Sequence, residues 1–228
     1  FLLYGQPIID LATGTVAKHE LLLRMISRRG EVVAPGLFLP AAEKYGLIGD
    51  IDRWVVTQAV ELAAAGKPVA ANLSADSIGR IDILRHIERE LSRTGAPAEE
   101  VTLEVTETGL MEDLQEGRRF ADRLVALGCS FSLDDFGTGY GSLTYLRQLP
   151  ITQLKIDVQF VREMARSQAD QTLVKGIINI AHSMDKVTVA EGVEDEETLV
   201  LLRDFGVEFA QGYHLGRPGP LPNGQPSM

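Results

Sequence analysis

From about Asp50 the chain repeats one unit: apolar residues at helical spacing, then a glycine or proline, then a short apolar run. Ile51, Trp54, Val55, Leu62 and Ala63 share a helical face that ends at Gly66, before VAANLS. A second face, Ile83, Ile87 and Leu91, stops at Gly95 before VTLEVTE; a third, Phe120, Leu124 and Leu127, stops at Gly128 before SFSLDD. ITQLKID follows Pro150, KVTVAEGVE follows a long helix through Ile177 and Ala181, and EFAQGY follows Gly206. Strand and helix alternating at this spacing predict parallel strands joined by helical crossovers.

Two further strands open the chain, FLLYGQPIID and TVAKHELLLRM, with only LATG or thereabouts between them. A parallel crossover needs a dozen or more residues, so these two form an antiparallel hairpin turning at Thr13-Gly14. Eight strands predict a closed α/β barrel with one reversed strand. Residues 1–216 are expected to form this domain. Residues 217–228, rich in Pro and Gly without periodicity, are expected to be a linker or disordered tail.

A single such barrel fits 228 residues, and 45% hydrophobic residues suffice for a sizeable core. No apolar run approaches the ~20 residues needed to span a bilayer. The single cysteine, Cys129, excludes an internal disulfide and a cysteine-based zinc site, and fits a reducing, cytoplasmic setting. A net charge of −10 argues against broad binding to DNA or anionic membranes, but permits a small anionic ligand where metal ions mediate.

In α/β barrels functional groups gather where strands end. Here the strand ends carry Asn72, Glu104, Asp134 with Asp135, Lys155, Glu191 and Gln211, and Glu20 lies within the second strand. Any one of them reads as a turn former or a helix cap. A polar group of this kind at every parallel strand end reads as a site. Five carboxylates in one barrel mouth demand cations. Carboxylates plus the Asn72 amide are hard oxygen donors, which favour Mg²⁺ or Mn²⁺ over zinc. Adjacent aspartates suit a pair of ions bridged by one carboxylate, an arrangement that activates water and clamps a phosphate. His19, His86, His182 and His214 show no ligand spacing and read as surface or packing residues.

HELLLR, NLS, LEVTE, LDDFGTGYGSL, LKID, AEGVE and AQGY stand in this order along nearly the whole chain. In that combination the sequence resembles the EAL-domain cyclic di-GMP phosphodiesterases of bacteria. The resemblance implies a TIM-like (β/α)8 barrel whose first strand is antiparallel to the rest, matching the hairpin argument. It implies hydrolysis of one phosphodiester of cyclic di-GMP to linear pGpG, with Mg²⁺ or Mn²⁺, two ions, as cofactor and Ca²⁺ as inhibitor.

Carried over by position, Glu20, Asn72, Glu104, Asp134 and Glu191 are implied metal ligands, and Asp135 binds the second ion. Lys155 and Gln211 are placed near the metals and the attacking water. Arg24 is implied as a phosphate contact and Asp157 as a neighbour of the substrate. Glu194 supports the site or the substrate, and Glu107 holds the DDFGTGYGS loop. A homodimer through the loop after Asp135 and neighbouring helices is implied, as is fusion to upstream sensory or GGDEF-type domains. The signature itself departs, with Leu21 where the family name has Ala, and GYGS stands where GYSS is common. Two other readings suit the same acidic strand ends. One is a receptor that binds cyclic di-GMP without turning it over. The other is a Mg²⁺-dependent barrel lyase using Lys155 as base.

Overall fold

The computed structural model describes residues 1–137 and 146–221. β1 (Leu2–Asp10) and β2 (Val16–Ile26) form the predicted hairpin, with Leu2 opposite Arg24 and Gln6 opposite Glu20. The repeating unit then follows. α2 (Ile48–Ala64) precedes β4 (Val69–Asn72), and α3 (Ile81–Thr94) precedes β5 (Val101–Thr106). α5 (Leu114–Ala126) leads to β6 (Ser130–Phe136), which is followed by β7 (Gln153–Ile156). α7 (Gln168–Ser183) leads to β8 (Val187–Ala190), and α8 (Glu196–Phe205) to β9 (Phe209–Ala210). Shorter pieces are β3 (Val32–Val33), α1 (Leu39–Lys44), α4 (Glu107–Met111), α6 (Val158–Val161) and β10 (Gly219–Pro220).

The helix limits follow side-chain chemistry. Asp113 caps α5 by accepting from the Gln115 and Glu116 amides, and Asp195 caps α8 by accepting from the Thr198 amide. Gly95 and Gly206 end α3 and α8 with φ of 68° and 85°, a left-handed conformation that a Cβ disfavours.

Strands β2, β4, β5, β6, β7, β8 and β9 are parallel in that order, and β1 closes the ring by pairing antiparallel with both β2 and β9. The result is an eight-stranded barrel with its first strand reversed. The sequence did not reveal β3, which extends β2, or β10, which pairs Tyr4 with Pro220 and Gly5 with Gly219. The stretch from Arg217 was expected to be free of the fold. Its first residues instead dock on β1, and the buried Leu221 lies where any Cβ on residue 5 would sit, 2.4 Å from its Cδ2. Pro220 is tolerated because it occupies an edge.

The main apolar core fills the layer between barrel wall and helices. Within the barrel a small cluster of Ile8, Ala70 and Val189, backed by Phe209, fills the lower lumen, and polar groups fill the upper part. Leu21 belongs to the outer layer, 2% exposed, because the residue after Glu20 must point the other way. Leu21→Ala is therefore expected to cost roughly 2–5 kcal/mol of stability through a cavity. Below its lowered melting temperature the variant should keep its turnover within a factor of a few. A stable variant with altered metal affinity would overturn the assigned face.

Candidate metal centre

Parallel register brings the strand ends to one height: Asn72 lies beside Glu104, and Thr106 beside Asp134. At the centre stands Lys155, fully buried. Its Nζ lies 2.6 Å from Glu191 Oε1, 2.9 Å from Glu104 Oε2, 3.3 Å from Asp134 Oδ1 and 3.9 Å from Glu20 Oε2. Asn72 Nδ2 donates to Glu20 Oε1 at 2.8 Å, which leaves the Asn72 carbonyl oxygen as a hard donor. Gln211 Nε2 donates to the other Glu20 oxygen at 2.6 Å and to Gln6 Oε1 at 3.0 Å. Gln6 Nε2 in turn donates to the Gly216 carbonyl at 3.0 Å, and that acceptor fixes the orientation of both amides.

In a regular strand two successive side chains point to opposite faces, so Asp134 and Asp135 could not share a site. Here Asp135 has φ of 54°, and the β6–β7 register shifts between Leu133 and Phe136. This bulge turns the backbone so that oxygens of Asp134, Asp135 and Glu191 lie within 4.8 Å of one another. Asp157 caps α6 by accepting from the Gln159 amide and also hydrogen-bonds Asp135. Glu107 Oε2 accepts from the Gly137 amide at 3.0 Å, just where the chain leaves β6.

Burial pushes the Glu104 carboxyl up to about 8, with Lys155 opposing, and pushes Glu191 up to about 7. Asp135 is raised to about 6 by burial, by Asp134 and by its bond to Asp157. Lys155 lies well above the ordinary lysine value: burial favours its neutral form, but Glu104, Glu20, Glu191 and Asp134 outweigh it. The ring thus holds protons when no cation is there to replace them. A carboxyl raised on folding contributes stability below its unfolded value and loses it as pH rises through the folded value. The metal-free domain should therefore lose stability between about pH 5 and 8, and excess Mg²⁺ should flatten the loss. Thermal melts in EDTA that do not fall over this range would show the carboxyls to be ordinary.

The donor set fits a divalent cation. Carboxylates converge within bonding reach of one point, and the buried Gln211 Oε1 has no partner among the described residues. A cavity of about 220 Å³ opens above, lined by Gln6, Glu20, Arg162, Glu191, Glu194, Gln211 and Tyr213 among others. Glu194 pairs there with Arg162 at 2.9 Å. Arg24 does not line it; its guanidinium lies 5.3 Å from the Tyr4 ring centre and donates to the Leu23 carbonyl. The four histidines lie elsewhere, His19 on the opposite face of β2 from Glu20 and beside Gly5, His86 on Thr57 and the Arg53 carbonyl, His182 on Glu208 and His214 on Glu196. The loop expected to carry the dimer contact falls at residues 138–145, outside the described residues.

Gln6 and Lys18 face the lumen and escaped the sequence reading. Gln6 alternates with Ile8 on β1, and Lys18 alternates with Glu20 on β2, so period-two counting from Glu20 would have found Lys18. Lys18 Nζ donates to Gln153 Oε1 at 2.6 Å and Thr102 Oγ1 at 3.0 Å. Burial lowers its pKa to about 8, with Glu104 pulling it up and Lys155 pushing it down.

Fold and site together define an α/β barrel whose strand ends gather an acidic cluster of hard oxygen donors around a buried lysine. The EAL-domain family model matches residues 1–218, and the chain belongs to the EAL-domain family. It is 38% identical to "Cyclic di-GMP phosphodiesterase NbdA" of Pseudomonas aeruginosa over 96% of this chain and 29% of that protein. It is 37% identical to "Cyclic di-GMP phosphodiesterase PdeB" of Shewanella oneidensis, over 96% of this chain and 26% of that protein. The chain thus spans less than a third of the length of either relative. A solved structure, "PaMucR Phosphodiesterase, c-di-GMP complex", superposes with a TM-score of 0.90 at 36% identity, covering 96% of this chain and 92% of that one.

Proposed function

We propose that this domain hydrolyses one phosphodiester bond of cyclic di-GMP to linear pGpG, using two Mg²⁺ or Mn²⁺ ions. The observation that carries the reading is the complete ring of Glu20, Asn72, Glu104, Asp134, Asp135 and Glu191 around Lys155, in a chain similar to proteins named for this activity. Glu20, Asn72, Glu104, Asp134 and Glu191 would hold one ion, and Asp135 with Asp134 the second. Bound there, the ions would activate water and stabilise negative charge on the phosphoryl oxygens.

In the metal-free ring four carboxylates hold the Lys155 amine protonated, and we assign it the part of orienting the nucleophile and offsetting transition-state charge. Gln211, pinned by Glu20 and Gln6, presents its carbonyl oxygen as an acceptor for the attacking water. The anionic dinucleotide enters through the cavity over Glu191 and Gln211, with Glu194 in its wall and Asp157 behind Asp135. Arg24 reaches a phosphate only by leaving Tyr4.

Incubation with cyclic di-GMP and Mg²⁺ or Mn²⁺, followed by chromatography, should yield pGpG. Ca²⁺, with longer bonds and more ligands, should support binding but little turnover. Binding without turnover in either metal would make the domain a receptor, and equal turnover in Ca²⁺ would sink the two-ion account. Cytoplasmic action, a homodimer and fusion to sensory or GGDEF-type domains complete the proposal. No helix among the described residues is long and apolar enough to cross a membrane.

Glu107 enters as the anchor of the loop behind Asp135. Glu107→Ala should weaken metal affinity by about 10–100-fold, the usual effect of losing a group that orients a ligand. Calorimetric titration with Mn²⁺ checks this, and unchanged affinity would reduce Glu107 to a helix-start carboxylate.

A further inference from the structure

Directly below the acidic ring the lumen contains a second buried ammonium that the proposed reaction does not use. Lys18 is 7% exposed and reaches across from β2 to Thr102 on β5 and Gln153 on β7. Each of these partners stands two residues before a member of the ring, Glu104 and Lys155 respectively, on the same inward face. Lys18 itself stands two residues before Glu20. Its ammonium is therefore fixed one layer beneath the carboxylates, about 7 Å along the strands. Both of its partners are neutral, and no salt bridge to it exists among the described residues.

Glu20, Glu104, Asp134, Asp135 and Glu191, with Asp157 bonded to Asp135, give the mouth its negative charge. Lys18 adds to Lys155 a second fixed positive charge beside the place that divalent ions would enter. It lies buried inside the barrel, where salt screens it little. Resting on the metal reading above, we infer that Lys18 is a positioning residue that holds the divalent-cation affinity of the ring down by repulsion from below. It touches neither the ions nor the substrate. Its hydrogen bonds to Thr102 and Gln153 hold the charge at a fixed depth, and the apolar Ile8, Ala70 and Val189 deny it a counter-ion in the lower lumen.

The sign of the effect separates this from a structural role. Damage to a metal site weakens binding; only removal of a repelling charge tightens it. Lys18→Met keeps the length of the side chain, and Lys18→Gln keeps a hydrogen-bonding group. Calorimetric titration of the full chain with Mn²⁺ alone, at pH 7, should show about tenfold tighter binding in both variants. Unchanged or weaker binding in folded variants would overturn the inference. Failure of both neutral variants to fold would also overturn it, since Lys18 would then be a strut. If the unsubstituted chain binds no Mn²⁺, the metal reading falls and this inference falls with it. If it binds Mn²⁺ and the variants bind alike, only this inference falls.

Discussion

Glu191→Gln is expected to reduce cyclic di-GMP hydrolysis by roughly 10³-fold, about 4 kcal/mol of transition-state stabilisation, in a barrel that still folds. The substitution keeps the volume and leaves an oxygen to accept from Lys155, so the 2.6 Å contact with Nζ need not break. What disappears is the negative charge on one of the three groups whose oxygens converge within 4.8 Å. A metal site that loses a carboxylate loses both affinity and the means of fixing its ions against the phosphate. The measurement is turnover at saturating Mn²⁺, with the melting temperature as a check on folding. Activity within about threefold of the unsubstituted chain would remove Glu191 from the ligand set.

Lys155→Met should have the largest effect on the metal-free domain. Losing one partner of a buried ionic cluster costs about 3–5 kcal/mol, because the remaining charges stay desolvated. In a chain of this size that lowers the melting temperature by roughly 10 °C. Four carboxylates face the lysine, and Glu104 is itself 1% exposed. Without the ammonium they keep protons to a higher pH, so the deficit should be small near pH 5 and grow toward pH 8. Mg²⁺ should recover part of the stability, since a divalent ion can replace the lost charge, but turnover should not return. Melts of both proteins in EDTA across this pH range decide it. A variant as stable as its parent at pH 8 would show that other cations balance the ring.

Much of this was legible in the residues because long periodic segments declare themselves. The helices through Ile83–Leu91 and Phe120–Leu127, and the strands after Gly95 and Gly128, stand where their apolar spacing put them. The reversed first strand followed from a connection too short for a crossover. Two-residue strands such as β3 and β10 carry no period to read, and the docking of Leu221 depends on the bare backbone of Gly5. Adjacent Asp134 and Asp135 suggested a shared site, but the left-handed residue and bulge that allow it leave no mark in the sequence. Lys18 was hidden for another reason. A lysine in a strand reads as solvent-facing until the inward face is fixed by its neighbour Glu20.

Barrel walls are only as tight as their thinnest stave. In this molecule that is β9, two residues long and joined to β8 and to β1 by two residue pairs on each side. Local opening is drawn from places with so few wall hydrogen bonds. The amides of Phe209 and Ala210 should therefore exchange with solvent sooner than those of β5 and β6. Gln211 hangs from the end of that stave, and among the described residues its side chain is cross-linked to Glu20 and Gln6 alone. Each opening of the wall would swing a water acceptor out of the mouth, so the seam that opens most readily also sets how often the site is ready.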